Sequence, residues 1–76
     1  MTLLDEIRSR KALPRPAKAR AIRIAAGVSQ VRLAEELGVT RITVLRWEAG
    51  EYTPRGQLRD AYAELLEGLR REIAGS

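Results

Sequence analysis

Neither cysteine nor histidine occurs among the 76 residues of this chain. The first absence removes any disulfide framework and any thiolate metal site, and the second removes the commonest metal ligand and the commonest general acid/base. What remains for chemistry is Ser, Thr, Tyr, Lys and carboxylates with no clustering among them, so nothing in the sequence supports an enzyme. No metal, cofactor or small-molecule ligand is expected. Aromatic residues are few, with one Trp, two Tyr and no Phe, and the Ala-, Arg- and Leu-rich remainder suits short helices better than strands. No apolar run approaches the roughly 18 residues of a membrane span, and the first residues lack a positively charged lead followed by an apolar stretch. The expectation is a cytoplasmic location without membrane association.

At 76 residues the chain supports one domain at most, because so small a core leaves no apolar area for a second. That core must hold by helix packing alone. The net charge of +4 and a pI near 10.3 favour a polyanionic partner. From Ala12 to Ala34 five basic residues (Arg15, Lys18, Arg20, Arg23, Arg32) meet no acid, whereas from Glu35 onward six basic residues face eight acidic ones. A solvated arginine-rich helix face accounts for this pattern as well as a bound polyanion does, so charge alone decides nothing.

Start and stop signals divide the chain. Thr2 to Arg10 begins with a cap residue, carries Asp5 and Glu6 in its first turn and ends in Arg8, Arg10 and Lys11, matching a helix dipole at both ends. Pro14 and Pro16 interrupt, and residues 12–16 read as a connector. Ala17 to Ala26 is a strong helix former stopped by Gly27. Ser29 then caps a helix through Leu37 that ends at Gly38, and Thr40 caps the next, which ends at Gly50. Beyond Pro54 the series Leu58, Tyr62, Leu65, Leu66, Leu69, Ile73 keeps a helical period, as one helix or as two joined near Gly68.

The segment from Gln30 to Ala49 has the spacing that a DNA-binding helix-turn-helix needs. Ala34 is small where the next helix crosses, Gly38 permits the positive φ that reverses the chain, and Val39 plugs the turn. Leu33, Leu37, Val44 and Trp47 are the apolar contacts expected to lock the two helices together. A wheel of residues 40–48, at about 100° per residue, puts Thr40, Val44 and Trp47 on one arc, the side expected to be buried. The opposite arc holds Arg41, Ile42, Leu45 and Arg46, with Thr43 at its flank and no acid. Facing a major groove, arginine pairs with guanine O6 and N7, and an aliphatic side chain meets a thymine methyl. Packing of Ile42 and Leu45 on a neighbouring element or a second subunit is the alternative.

The run from Ile22 to Pro54, with Gly27-x-Ser29-Gln30, Ala34-Glu35-x-Leu37-Gly38-Val39 and Trp47-Glu48-x-Gly50, resembles the Cro and phage-repressor type (XRE) helix-turn-helix family. The resemblance implies an all-α, lambda-repressor-like bundle of about five helices, to which the N-terminal helix read from the start signals above is an addition. Read as one domain over residues 1–76, the chain would have the extra helix in 1–11, the helix-turn-helix in 30–49 and a C-terminal helical segment in 55–74. The resemblance also implies that Gln30 leads the first motif helix and touches a DNA phosphate, that Arg41, Ile42 and Arg46 reach base edges, and that Arg23 and Glu48 form an internal ion pair. Tyr52, Thr53 and Arg55 lie where such proteins meet the DNA backbone again, although Glu51 departs from the more basic residue often found there. The caps Ser29 and Thr40 join the backbone-contacting candidates. Arg20 and Lys18 are phosphate neighbours or solvated surface.

The leading expectation is a sequence-specific regulator of double-stranded DNA, phage or mobile-element encoded because no sensory or oligomerisation module is attached, acting in a bacterial host. A homodimer through the N- or C-terminal helix would imply two half-sites about one helical turn, roughly 34 Å, apart. The rivals are an antitoxin-type autoregulator that clamps a partner protein and a recombination accessory factor that bends DNA.

Overall fold

The computed structural model describes residues 2–3 and 12–75. The leading helix expected over 1–11 lies outside them, apart from Thr2 and Leu3. Among the described residues the fold is all-helical, with α1 (Pro16–Ala25), α2 (Gln30–Leu37), α3 (Arg41–Glu48) and α4 (Gly56–Ala74). The expected count of about five helices is therefore not met: four are found. One reason is that α4 runs unbroken through Gly68. A glycine inside a helix costs only about 1 kcal/mol relative to alanine. Burial of Leu66, fully enclosed two residues earlier, outweighs that.

Each short helix is set by local chemistry. Pro16 opens α1 after an extended Arg15, where its missing N–H and fixed φ are no handicap. Ser29 and Thr40 cap α2 and α3, their side chains accepting from the Arg32 and Thr43 backbone N–H at 3.0 and 3.3 Å. Between α2 and α3, Gly38 adopts φ 70°, the Gly38 N–H donates to the Glu35 carbonyl at 3.2 Å and the Val39 N–H to the Ala34 carbonyl at 3.0 Å. This left-handed closure satisfies the end of α2 and turns the chain within three residues.

The core gathers one stripe from every helix: Ala19 and Ile22 of α1, Leu33 and Ala34 of α2, Val44 and Trp47 of α3, Tyr62 and Leu66 of α4. Val39, Leu37 and Leu69 pack at its margin. The Trp47 and Tyr62 rings meet in a tilted contact with centroids 4.8 Å apart, joining α3 to α4. Tyr62 is buried, which pushes its phenol up to about 12. The two motif helices are thus held from behind by α1 and α4.

Candidate nucleic-acid interface

Helix α3 has two unlike sides. Val44 and Trp47 are 0 and 5% exposed, whereas Ile42 and Leu45 are 46 and 40% exposed and the flanking Arg41 and Arg46 are exposed as well. Both aliphatics thus keep nearly half of their surface open. Thr40, expected on the buried arc, is instead exposed. As the cap it has extended backbone, φ −84° and ψ 157°, so a helical angle does not apply to it. Its hydroxyl lies 3.0 Å from that of the half-buried Thr43, and the pair fixes the first turn of α3.

The end of α3 is anchored by charge. Arg23 of α1 donates from Nε to Glu48 Oε2 at 2.6 Å and from Nη2 to Oε1 at 2.9 Å, while its Nη1 donates to the Val28 carbonyl at 2.9 Å. Gln30, the first residue of α2, donates from Nε2 to Glu48 Oε1 at 3.1 Å. One carboxylate therefore ties α1 and α2 to the last turn of α3. Burial works to raise the Glu48 carboxyl, but hydrogen bonds from Arg23 and Gln30 and the charges of Arg23 and Arg20 outweigh it and hold it below the ordinary range. The hydrogen bond to Glu48 raises Arg23 above its usual value against the opposing effect of burial. Arg23 is thereby committed to the fold and is not a free cation for a ligand.

The other sequence candidates fall into three groups. Ser29, Arg20 and Arg55 are exposed, and the charge of Arg20 helps to hold the Glu48 carboxyl low. Tyr52 and Thr53 line an open groove with Arg15, Pro54 and Trp47. Arg15 was not singled out by the sequence reading beyond its charge; the proline-opened start of α1 is what brings it to this loop. Lys18 lines a different groove, with Ile22, Ala63, Glu67 and Arg70 and no residue of α3. Arg46 is not alone: Glu51 Oε2 stands 4.0 Å from its Nε, and its Cζ lies 5.4 Å from the Tyr52 ring centroid. An outward face thought free of acid thus has one at its rim.

Among the described residues no helix is long and apolar enough to cross a membrane. No curated protein and no solved structure matches the chain. A model of the family described as helix-turn-helix (HTH_3), of the XRE type, matches residues 20–71, which takes in all of α2 and α3 and most of α1 and α4. The chain belongs to the XRE-type helix-turn-helix family of DNA-binding regulators.

Proposed function

We propose that this protein regulates transcription by occupying a specific double-stranded DNA site, with α3 in the major groove. The observation that carries the reading is the outward side of α3, where Ile42 and Leu45 are exposed between Arg41 and Arg46 while Val44 and Trp47 fix the helix from behind. Arginine forks and aliphatic surface are the chemistry that reads guanine edges and thymine methyls. Arg41, Ile42 and Arg46 read bases, with Thr43 and Leu45 beside them. Ser29, Gln30, Thr40, Arg20, Tyr52, Thr53 and Arg55 meet the backbone. Gln30 has two amide hydrogens, and the one not given to Glu48 serves a phosphate oxygen. Lys18 is the weakest of the backbone candidates, since it shares its groove with α4.

Regulation of this kind is repressor-like and works in the cytoplasm of a bacterial host, with a phage or mobile-element source. A homodimer would use the C-terminal half of α4, where Leu69 and Ile73 line an open groove with Ala25 and Ala26 of the α1 end.

Selection of bound sites from random duplex DNA, followed by titration of Arg46→Ala and Arg20→Ala, tests the reading. Arg46→Ala should relax preference at one base pair by about 1–3 kcal/mol. Arg20→Ala should weaken all sequences alike and reduce the salt slope by about 1. A palindromic consensus would support the dimer. Equal loss on selected and random DNA for both variants would overturn the assignment of Arg46.

A further inference from the structure

The exit of α3 repeats the closure seen after α2 but with different side chains. Gly50 adopts φ 76°, its N–H donates to the Trp47 carbonyl at 3.1 Å, and the Glu51 N–H donates to the Arg46 carbonyl at 2.9 Å. This closure brings the residue after the glycine beside the one five positions earlier, and that pair is commonly apolar. After α2 the pair is Val39 and Ala34, both packed at the core. After α3 it is Glu51 and Arg46, both exposed. The backbone therefore obliges the acid to stand next to the arginine, whatever the side chains gain from it.

Stability does not account for the pairing. With side chains 48 and 63% exposed and 4.0 Å between Nε and Oε2, it is a solvated contact of the kind that adds little to folding. Its geometric consequence is larger. The carboxylate lies at the Nε edge of the guanidinium, and the Tyr52 ring lies 5.4 Å from Cζ. A guanidinium held at that edge still has its terminal Nη hydrogens uncommitted, which is the end that forks onto guanine O6 and N7. The same carboxylate sits at the rim of the surface that would meet phosphates, where it disfavours any DNA that does not reward Arg46.

Resting on the DNA-reading function above, we propose that Glu51 and Tyr52 are positioning residues that aim Arg46 and set the discrimination it delivers. Glu51 lowers affinity for DNA in general and raises the ratio between a site that has the guanine and one that lacks it. Tyr52 supports the aim through its ring.

The test uses the full chain on three duplexes at one salt concentration: the selected site, that site with the Arg46-dependent guanine pair replaced, and a random duplex. Glu51→Gln should tighten the random duplex by about threefold and narrow the ratio between the first two by about threefold to tenfold. In an Arg46→Ala background the same change should still tighten the random duplex but leave the ratio alone. Tyr52→Ala should narrow the ratio, whereas Tyr52→Phe, which keeps the ring, should preserve it even if every sequence binds more weakly. A Glu51→Gln ratio within twofold of the parent's, or one narrowed equally without Arg46, overturns the positioning role and leaves DNA reading intact. If the parent protein enriches no site at all, the DNA reading fails and takes this inference with it.

Discussion

Two arginine–glutamate pairs flank the second half of α3, and they do opposite work. Arg23 and Glu48 are 9 and 8% exposed and joined by two hydrogen bonds of 2.6 and 2.9 Å. Arg46 and Glu51 are exposed and meet at 4.0 Å. The buried pair spans two helices, and all three nitrogens of its guanidinium donate within the fold, Nη1 to the Val28 carbonyl. The exposed pair lies within one helix exit and leaves a fork free. Same residue types, then, serve as a structural tie in one place and as the proposed reading head in the other, and burial with hydrogen bonds from all three guanidinium nitrogens is what separates them.

The sharpest way to break this comparison is to remove Glu48. Glu48→Ala strands a buried guanidinium and should cost about 3–5 kcal/mol. A domain of this size has a total stability of only about 4–11 kcal/mol. Urea unfolding followed by Trp47 fluorescence measures the loss; a cost under about 1 kcal/mol would show that Arg23 finds other partners and that the pair is not the tie described here. The double change Arg23→Met with Glu48→Leu should recover much of the loss, because apolar packing replaces a desolvated pair at similar volume.

Acid should expose the same tie without mutation. The Glu48 carboxyl titrates below its ordinary value of 4.5 in the folded protein. Its contribution is therefore complete above 4.5 and drains away as the pH falls through that value toward the lower folded one. Glu48→Gln should flatten this part of the stability profile while leaving the slope between pH 6 and 7 unchanged, as urea midpoints across the range would show. A parallel decline in both proteins would assign the acid sensitivity elsewhere.

The turns offer a milder contrast. Gly38→Ala forces an alanine to φ 70°, with no atom near the new Cβ to blame, so about 1–2 kcal/mol of backbone strain is expected in thermal melts. A loss near zero would mean that the α2–α3 turn can reclose another way.

How much of this was legible beforehand follows from the range of each interaction. Ser29, Thr40, Gly38 and Gly50 act on their own neighbours, so the caps and stops of α2 and α3 could be read residue by residue. Val44 and Trp47 followed from a period of 3.6 and are buried. Thr40 was misassigned to the buried arc because a wheel extends helical angles onto a residue with extended backbone. The pairing of Arg23 with Glu48 spans 25 positions, and only family resemblance pointed to it. Lys18 shows that a basic run gives charge without direction: one residue before the buried Ala19, it lines the groove shared with α4. The partnership of Arg46 and Glu51 escaped because the wheel stopped at Glu48. The signal was nonetheless present, since a glycine at position 50 specifies a closure that returns residue 51 to residue 46.

The smallest expected effect completes the comparison. Glu51→Ala should change folding stability by no more than about 0.5 kcal/mol, because both members are solvated and screened. Any coupling to Arg46 in a double-mutant cycle should be a few tenths of a kcal/mol at low salt and vanish near 1 M, where the Debye length is about 3 Å. The same cycle on Arg23 and Glu48 should survive that salt, since its charges are shielded from ions by the core around them. A salt-resistant coupling between Arg46 and Glu51 above about 1 kcal/mol would place that pair with the fold, and α3 would then offer Arg41 and Ile42 in place of Arg46 as its principal means of reading a base.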